Sequence, residues 1–131
     1  MVDSKTDLRI PEDRPLSAEE TKLVRWALEH SLPGSDSYLS QLDKVRVISR
    51  CGCGCASVDF SFDGVLPDYR TGLQELSDHL WGTGGIDLCG IFVFARSEKL
   101  AGFEVWSVDG QVTPTELPKI EDLRDYSEEK A

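Results

Sequence analysis

Residues 88–110, LCGIFVFARSEKLAGFEVWSVDG, decide the fold of this chain. The first part, residues 88–95, is apolar on both faces, which is typical of a strand covered on both sides. The polar residues 97–99 then turn the chain, and residues 100–108 return as a second strand. The stretch therefore predicts an antiparallel hairpin at the centre of a sheet.

A second hairpin is predicted upstream of the first. Residues 45–50 alternate between apolar and polar side chains, and in residues 58–62 apolar side chains alternate with Asp59 and Ser61, as in a half-buried strand. Two such hairpins predict a largely antiparallel sheet of about four strands. Residues 65–87 stay open, because Leu73, Leu76 and Leu80 suit a helix while strand and loop are also possible.

An amphipathic helix is predicted near the N-terminus. Ser17 and Glu20 form a capping-box pattern, and an apolar stripe at helical spacing follows it. Pro33 and Gly34 then end the helix, so its predicted extent is about 17–31. The predicted fold class is α+β, with this N-terminal helix packed on an antiparallel sheet of about four strands. A short second helical turn is predicted near residue 35 or 37.

The 131 residues fit one domain. We expect residues 1–14 to be a flexible arm, residues 15–124 to form a single α+β domain, and residues 125–131 to be a frayed acidic tail.

The formal charge of -10 is concentrated at the two ends. Residues 1–20 and residues 116–131 each carry six acidic and three basic side chains. Because such a field repels phosphate backbones, we expect no nucleic-acid partner, whereas a protein partner is compatible with it. The N-terminus lacks the apolar core of a signal peptide and the sequence lacks a membrane-spanning apolar run, so we predict a cytoplasmic location without membrane contact. The oligomeric state stays open.

Cys51, Cys53 and Cys55 alternate with glycines and form the most conspicuous motif of the sequence. In an extended strand, sulfurs two residues apart would be separated by about 6.6 Å, too far for a relaxed disulfide or for one zinc ion. The preferred interpretation is therefore of structural thiols on one strand face, with no cofactor and with an aromatic side chain packed over Gly52 and Gly54.

The alternative is a metal site formed by Cys51, Cys53, Cys55 and Cys89. Four cysteine thiolates are a common ligand set for structural zinc. The segment would have to coil to bring the sulfurs together, which the intervening glycines permit. A redox role, which needs an exposed thiol near a cation, is also open because Arg46 and Arg50 lie close in sequence.

Patterns typical of catalysis are weak. His30 and His79 have no nucleophile motif beside them. The glycine-rich residues 81–85 precede a strand rather than a helix, so they do not form a phosphate-binding loop. Trp106 shares its strand face with Glu104 and is the aromatic side chain most expected at the surface.

Several stretches of the sequence together resemble a known group of proteins. They are PLSAEE (15–20), LVRWALEH (23–30), QLD (41–43), CGCGC (51–55), SVDF (57–60) and LAGFEVWSVDG (100–110). The pattern resembles a group of small uncharacterised bacterial proteins, a domain of unknown function, over about residues 15–110. The resemblance implies a bacterial source and the fold given above, and it carries over no catalytic or binding residue.

The sequence favours a non-enzymatic binding or interaction module, because it lacks a catalytic constellation and has a folded body with acidic ends. The first alternative is a small zinc-binding, iron-binding or thiol-based protein that uses the cysteine cluster. A third is an enzyme whose site lies between the helix and the sheet.

Overall fold

The computed structural model describes residues 9–31, 33–82, 87–108, 110 and 112–125. These residues form one sheet of eight strands, and each strand pairs with its neighbours in the antiparallel sense. The strands are β1 (Arg9–Arg14), β2 (Val45–Cys51), β3 (Val58–Phe62), β4 (Leu73–Glu75), β5 (His79–Trp81), β6 (Cys89–Arg96), β7 (Lys99–Ser107) and β8 (Arg124–Asp125). Two 3-10 segments, Ser35–Lys44 and Ile120–Asp122, lie between strands.

The order across the sheet is β1-β2-β3-β7-β6-β5-β8, and β4 pairs with β6 outside this path. The β6–β7 hairpin lies at its centre, as the sequence predicts. Ser97 and Glu98 alone join its strands, and both have positive φ, 50° and 63°. That geometry is the two-residue turn whose twist matches the twist of the paired strands.

The helix α1 covers Ala18–Glu29, and the predicted capping box is confirmed: Ser17 accepts a hydrogen bond from the Glu20 N–H, and Glu20 accepts one from the Ser17 N–H. Its buried stripe packs into the main core, and it consists of Leu23, Val24, Ala27 and Leu28. Glu20 also accepts two hydrogen bonds from Arg14, at 2.8 and 3.0 Å, which attach β1 to the first turn of the helix. Among the described residues, no helix is both long enough and apolar enough to cross a membrane.

The predicted fold class, α+β with a sheet of about four strands, is wrong in the size of the sheet. The four predicted strands correspond to β2, β3, β6 and β7. Four further strands join them, and three of these are only two or three residues long, while β1 is rich in charge. Such short or charged segments show little hydrophobic alternation in the sequence. They form strands because neighbouring strands offer them backbone hydrogen bonds. The sheet therefore dominates the domain.

The half-buried character predicted for β3 is also wrong. Asp59 and Ser61 are 6% and 5% exposed, so both faces of the strand are covered. Asp59 accepts a hydrogen bond from the Ser49 hydroxyl at 3.0 Å and forms an ion pair with Arg9 of β1. Neighbouring polar side chains thus supply the hydrogen bond and the ion pair that the Asp59 carboxylate needs on the strand face that the alternation predicted to be exposed to solvent.

The regions that the sequence left open become short strands and turns. Within residues 65–87, β4 and β5 pair with β6. Residues 83–85 of the glycine-rich stretch 81–85, together with residue 86, lie outside the described residues. Residues 9–14 of the predicted arm form β1, while residues 1–8 lie outside the described part of the chain. At the other end, Asp125 pairs with His79, and residues 126–131 likewise lie outside it.

Candidate metal centre

The connection between β2 and β3 is a folded loop. The Gly54 N–H donates to the Cys51 carbonyl at 3.3 Å, which closes a four-residue turn, and Gly54 has a φ of +95°. The Cys51 N–H donates to the Ser57 carbonyl at 3.2 Å and closes the base of the loop. Because the backbone reverses direction here, the strand spacing used in the sequence argument does not apply.

The turn brings three sulfurs together. The Sγ atoms of Cys51, Cys53 and Cys55 all lie within 4.8 Å of one another, and those of Cys51 and Cys53 are 2.7 Å apart. The interpretation of these residues as thiols on an extended strand is therefore wrong. No heavy atom lies within 4 Å of a Cβ built on Gly54, so the aromatic cover expected there is also wrong.

Aromatic packing on a glycine occurs instead in the central hairpin. The indole of Trp106 in β7 packs over Gly90 in β6, at a distance of 2.5 Å from where a Cβ would lie. Trp106 is half-buried rather than fully exposed. This contact at Gly90 was not predicted from the sequence.

Hydrogen bonds fix the positions of the thiols. The Cys53 N–H donates to the Cys51 sulfur and the Cys55 N–H donates to the Cys53 sulfur, each at 3.4 Å. The Cys55 thiol donates to the Ser57 hydroxyl at 3.3 Å. That hydroxyl also accepts from the Val105 N–H and donates to the Val105 carbonyl. Ser57 thus connects the loop to the central hairpin, a role that no motif in the sequence reveals.

The acidities of two thiols diverge. Burial raises the pKa of the Cys51 thiol to about 12, and its hydrogen bond with the Cys53 sulfur acts in the same direction. For Cys53, burial opposes ionisation, but hydrogen bonds from the Cys51 thiol and the Cys55 N–H outweigh it, so the pKa of the Cys53 thiol is lowered. Cys53 is also exposed, whereas Cys51 and Cys55 are half-buried. Of these two thiols, that of Cys53 is therefore both the more acidic and the more exposed.

All three cysteines line a cleft of about 370 Å³. Its other walls come from β1, the ends of β2, β3 and β7, Gly110 and residues 112–114. The Ala56 N–H donates a 2.9 Å hydrogen bond to the Pro114 carbonyl at the end of this last segment. Arg50, which lines the cleft, has its Nε 3.4 Å from a Glu12 carboxylate oxygen. The thiols therefore share one opening with charged and aromatic side chains.

The structure brings three of the four cysteines together. Cys89 is buried in β6, opposite Ser107 of β7, and does not belong to the thiol group. In the described ranges, Cys51, Cys53 and Cys55 form the one group of three or more potential ligand side chains. The two histidines lie elsewhere: His30 caps α1 and stacks on Trp26, and His79 is buried beside Asp125 and does not line the cleft.

Comparisons of the chain with known protein families, with curated proteins and with solved structures give no match. The resemblance to a bacterial domain of unknown function stays a prediction.

Proposed function

We propose that this protein binds a thiophilic metal ion through the thiolates of Cys51, Cys53 and Cys55. The observation that supports it is the clustering of the three sulfurs within 4.8 Å of one another. Thiolates that share a tetrahedral zinc ion, each about 2.3 Å from the metal, are separated by about 3.8 Å. Rotation of the exposed Cys53 side chain and small adjustments of the half-buried Cys51 and Cys55 side chains would reach that spacing.

The donor set indicates which metals fit. Thiolate ligands select Zn²⁺ and Cu(I) over Mg²⁺ or Ca²⁺, which prefer oxygen. Three protein ligands complete a trigonal Cu(I) site, whereas Zn²⁺ needs a fourth ligand. The cleft offers room for that ligand, because all three cysteines face it.

The local charge is compatible with the site. Three thiolates around a divalent ion leave one net negative charge. Arg9 and Arg50 line the same cleft, although each is already paired with a carboxylate. The N–H groups of Cys53 and Cys55 already point at sulfurs, which favours the ionised form that a metal requires. Metal binding through the cysteine cluster is the first alternative of the sequence analysis, not the interaction module that the sequence favoured.

The test is a metal titration of protein purified with reductant and without an affinity tag. We expect one Zn²⁺ or one Cu(I) per chain, with competition between the two deciding the preferred ion. Co²⁺ in place of Zn²⁺ should give the charge-transfer absorption of thiolate ligation. Serine substitution at Cys51, Cys53 or Cys55 should each weaken binding by at least about tenfold, the lower end of what loss of even an outer-shell partner costs.

The matched control is Cys89→Ala, which removes a thiol outside the cluster and should leave metal affinity unchanged. Circular dichroism should show that every variant is folded. If the wild type binds neither ion stoichiometrically, or if single serine variants bind as tightly as the wild type, the proposal is wrong.

A further inference from the structure

We propose that Cys51 and Cys53 are also a redox-active pair that a low-mass disulfide oxidises to an intrachain disulfide, and that this oxidation releases the metal. The release of metal rests on the proposed function. The formation of the Cys51–Cys53 disulfide depends on the loop geometry alone and is independent of metal binding.

The pair is selected by distance. The sulfurs of Cys51 and Cys53 are 2.7 Å apart, and a disulfide requires about 2.05 Å, so a small movement joins them. The loop can make that movement, because Gly54 has the left-handed conformation and no heavy atom lies within 4 Å of its Cβ position. The third thiol is held apart, since Cys55 donates to the Ser57 hydroxyl, which is bonded to β7.

Solvent exposure decides which of the two sulfurs reacts first with the external disulfide. Cys53 is exposed and Cys51 is half-buried, so an incoming molecule meets Cys53 first. Cys53 also lines the cleft of about 370 Å³, which offers room for part of a small disulfide next to its sulfur. Cys53 is therefore the attacking sulfur, and Cys51 is the resolving sulfur.

The chemistry balances in two exchanges. The Cys53 thiolate attacks one sulfur of the external disulfide, a new S–S bond forms, and one external thiolate leaves with the electron pair of the broken bond. The Cys51 thiol then gives up its proton as its sulfur attacks the Cys53 sulfur and expels the second external thiolate. The two protons lost by the cysteines end on the two released thiols, so the protein loses two electrons and the external disulfide gains them.

The consequence for a metal follows from its ligand needs. Metals are bound by thiolates, and the sulfurs of a disulfide no longer carry that charge. Oxidation would leave Cys55 as the one remaining thiolate of the cluster. A single thiolate does not retain Zn²⁺ or Cu(I) against solvent, so release should accompany disulfide formation.

The first arm of the test uses metal-free protein and oxidised glutathione. After alkylation and tryptic digestion, mass spectrometry should find a Cys51–Cys53 disulfide within the peptide 51–70. Cys55→Ser should form this disulfide at the wild-type rate, whereas Cys51→Ser should stop at a glutathione adduct on Cys53. Cys89→Ala, outside the cluster, should match the wild type. A disulfide that mainly involves Cys55, or none in a folded wild type, would overturn the redox pair.

The second arm uses zinc-loaded protein and a chromogenic chelator. One zinc ion should be released for each Cys51–Cys53 disulfide formed, and reduction should restore binding. If the disulfide forms while zinc stays bound, metal release is wrong and the redox pair stands. If the wild type never takes up metal, the proposed function fails, and the metal-free arm still decides the redox pair.

Discussion

Two hairpins of this sheet join their strands in different ways. β6 and β7 are joined by Ser97 and Glu98, the shortest common connection between antiparallel strands. β2 and β3 are joined by six residues, 52–57, which include Cys53 and Cys55. Cys51 is the last residue of β2. Since two residues are enough to reverse a chain, the longer loop is not explained by the connection it makes. The β6–β7 hairpin thus forms the centre of the sheet, whereas the β2–β3 loop carries the candidate site.

The largest expected effect is on the free energy of unfolding, and it tests whether the β6–β7 hairpin matters more for stability than the β2–β3 loop. Phe103 in β7 is fully buried and packs edge-on against Phe60, with ring centroids 6.2 Å apart. Phe103→Ala should lower the free energy of unfolding by about 3–5 kcal/mol, because it leaves a cavity in the core. Cys53→Ser in the exposed loop should change it by less than about 0.5 kcal/mol. Urea denaturation measures both, and similar losses for the two variants would end the distinction.

Thiol labelling under native conditions compares the cysteines of the two hairpins directly. Cys53 is exposed and Cys89 is 4% exposed in β6. Labelling of Cys89 requires the sheet to open, so it should be slower than that of Cys53 by at least about 100-fold. Mass spectrometry of timed samples gives both rates. Equal rates would show that β6 opens as readily as the loop.

The pH dependence of the same reaction has a definite sign. The thiolate is the reactive form, and the pKa of the Cys53 thiol is lowered, so its rate should reach half-maximum below the ordinary cysteine value of about 8.5. The pKa of the Cys51 thiol is raised to about 12, so Cys51 should stay protonated and slow through pH 9. A Cys53 profile centred above the ordinary value would contradict the hydrogen-bond argument.

A smaller effect is expected from alanine at Gly54. Its φ of +95° disfavours any L side chain, so Gly54→Ala should cost about 1 kcal/mol and weaken metal binding by displacing the sulfurs. Gly64→Ala is the matched control, because Gly64 has a φ of +81° and equally open space but lies outside the thiol loop. It should cost similar stability and leave metal affinity unchanged. Equal losses of affinity in both variants would show that strain, not the site, is responsible.

The smallest effect should come from improving the two-residue turn. Ser97 and Glu98 both have positive φ, which Asn and Gly adopt more readily. The double substitution S97N/E98G should raise the free energy of unfolding by about 0.5 kcal/mol. Metal affinity should not change, since the turn does not line the cleft. A change in metal affinity in this variant would show that the β6–β7 turn influences the metal site, contrary to this inference.

The sequence could predict elements whose signals are local. The capping box and apolar stripe of α1 lie within about three turns of chain, and the helix formed as predicted. The β6–β7 hairpin was equally clear, because an apolar run, a polar turn and a second apolar run follow one another. Both elements carry the local signals of their conformation, and their apolar side chains are buried together in one shared core.

The tertiary structure decided the rest. β4, β5 and β8 are too short to show a period, and each exists because a neighbouring strand offers backbone hydrogen bonds. The cysteine spacing is compatible with both an extended strand and a coiled loop. Which one forms depends on the dihedral angle of Gly54 and on hydrogen bonds to Ser57 and Pro114, contacts that hydrophobic alternation does not encode. The sequence by itself therefore marked the cysteines as its most conspicuous motif but favoured structural thiols on a strand, and only the folded loop decided that the sulfurs of Cys51, Cys53 and Cys55 meet.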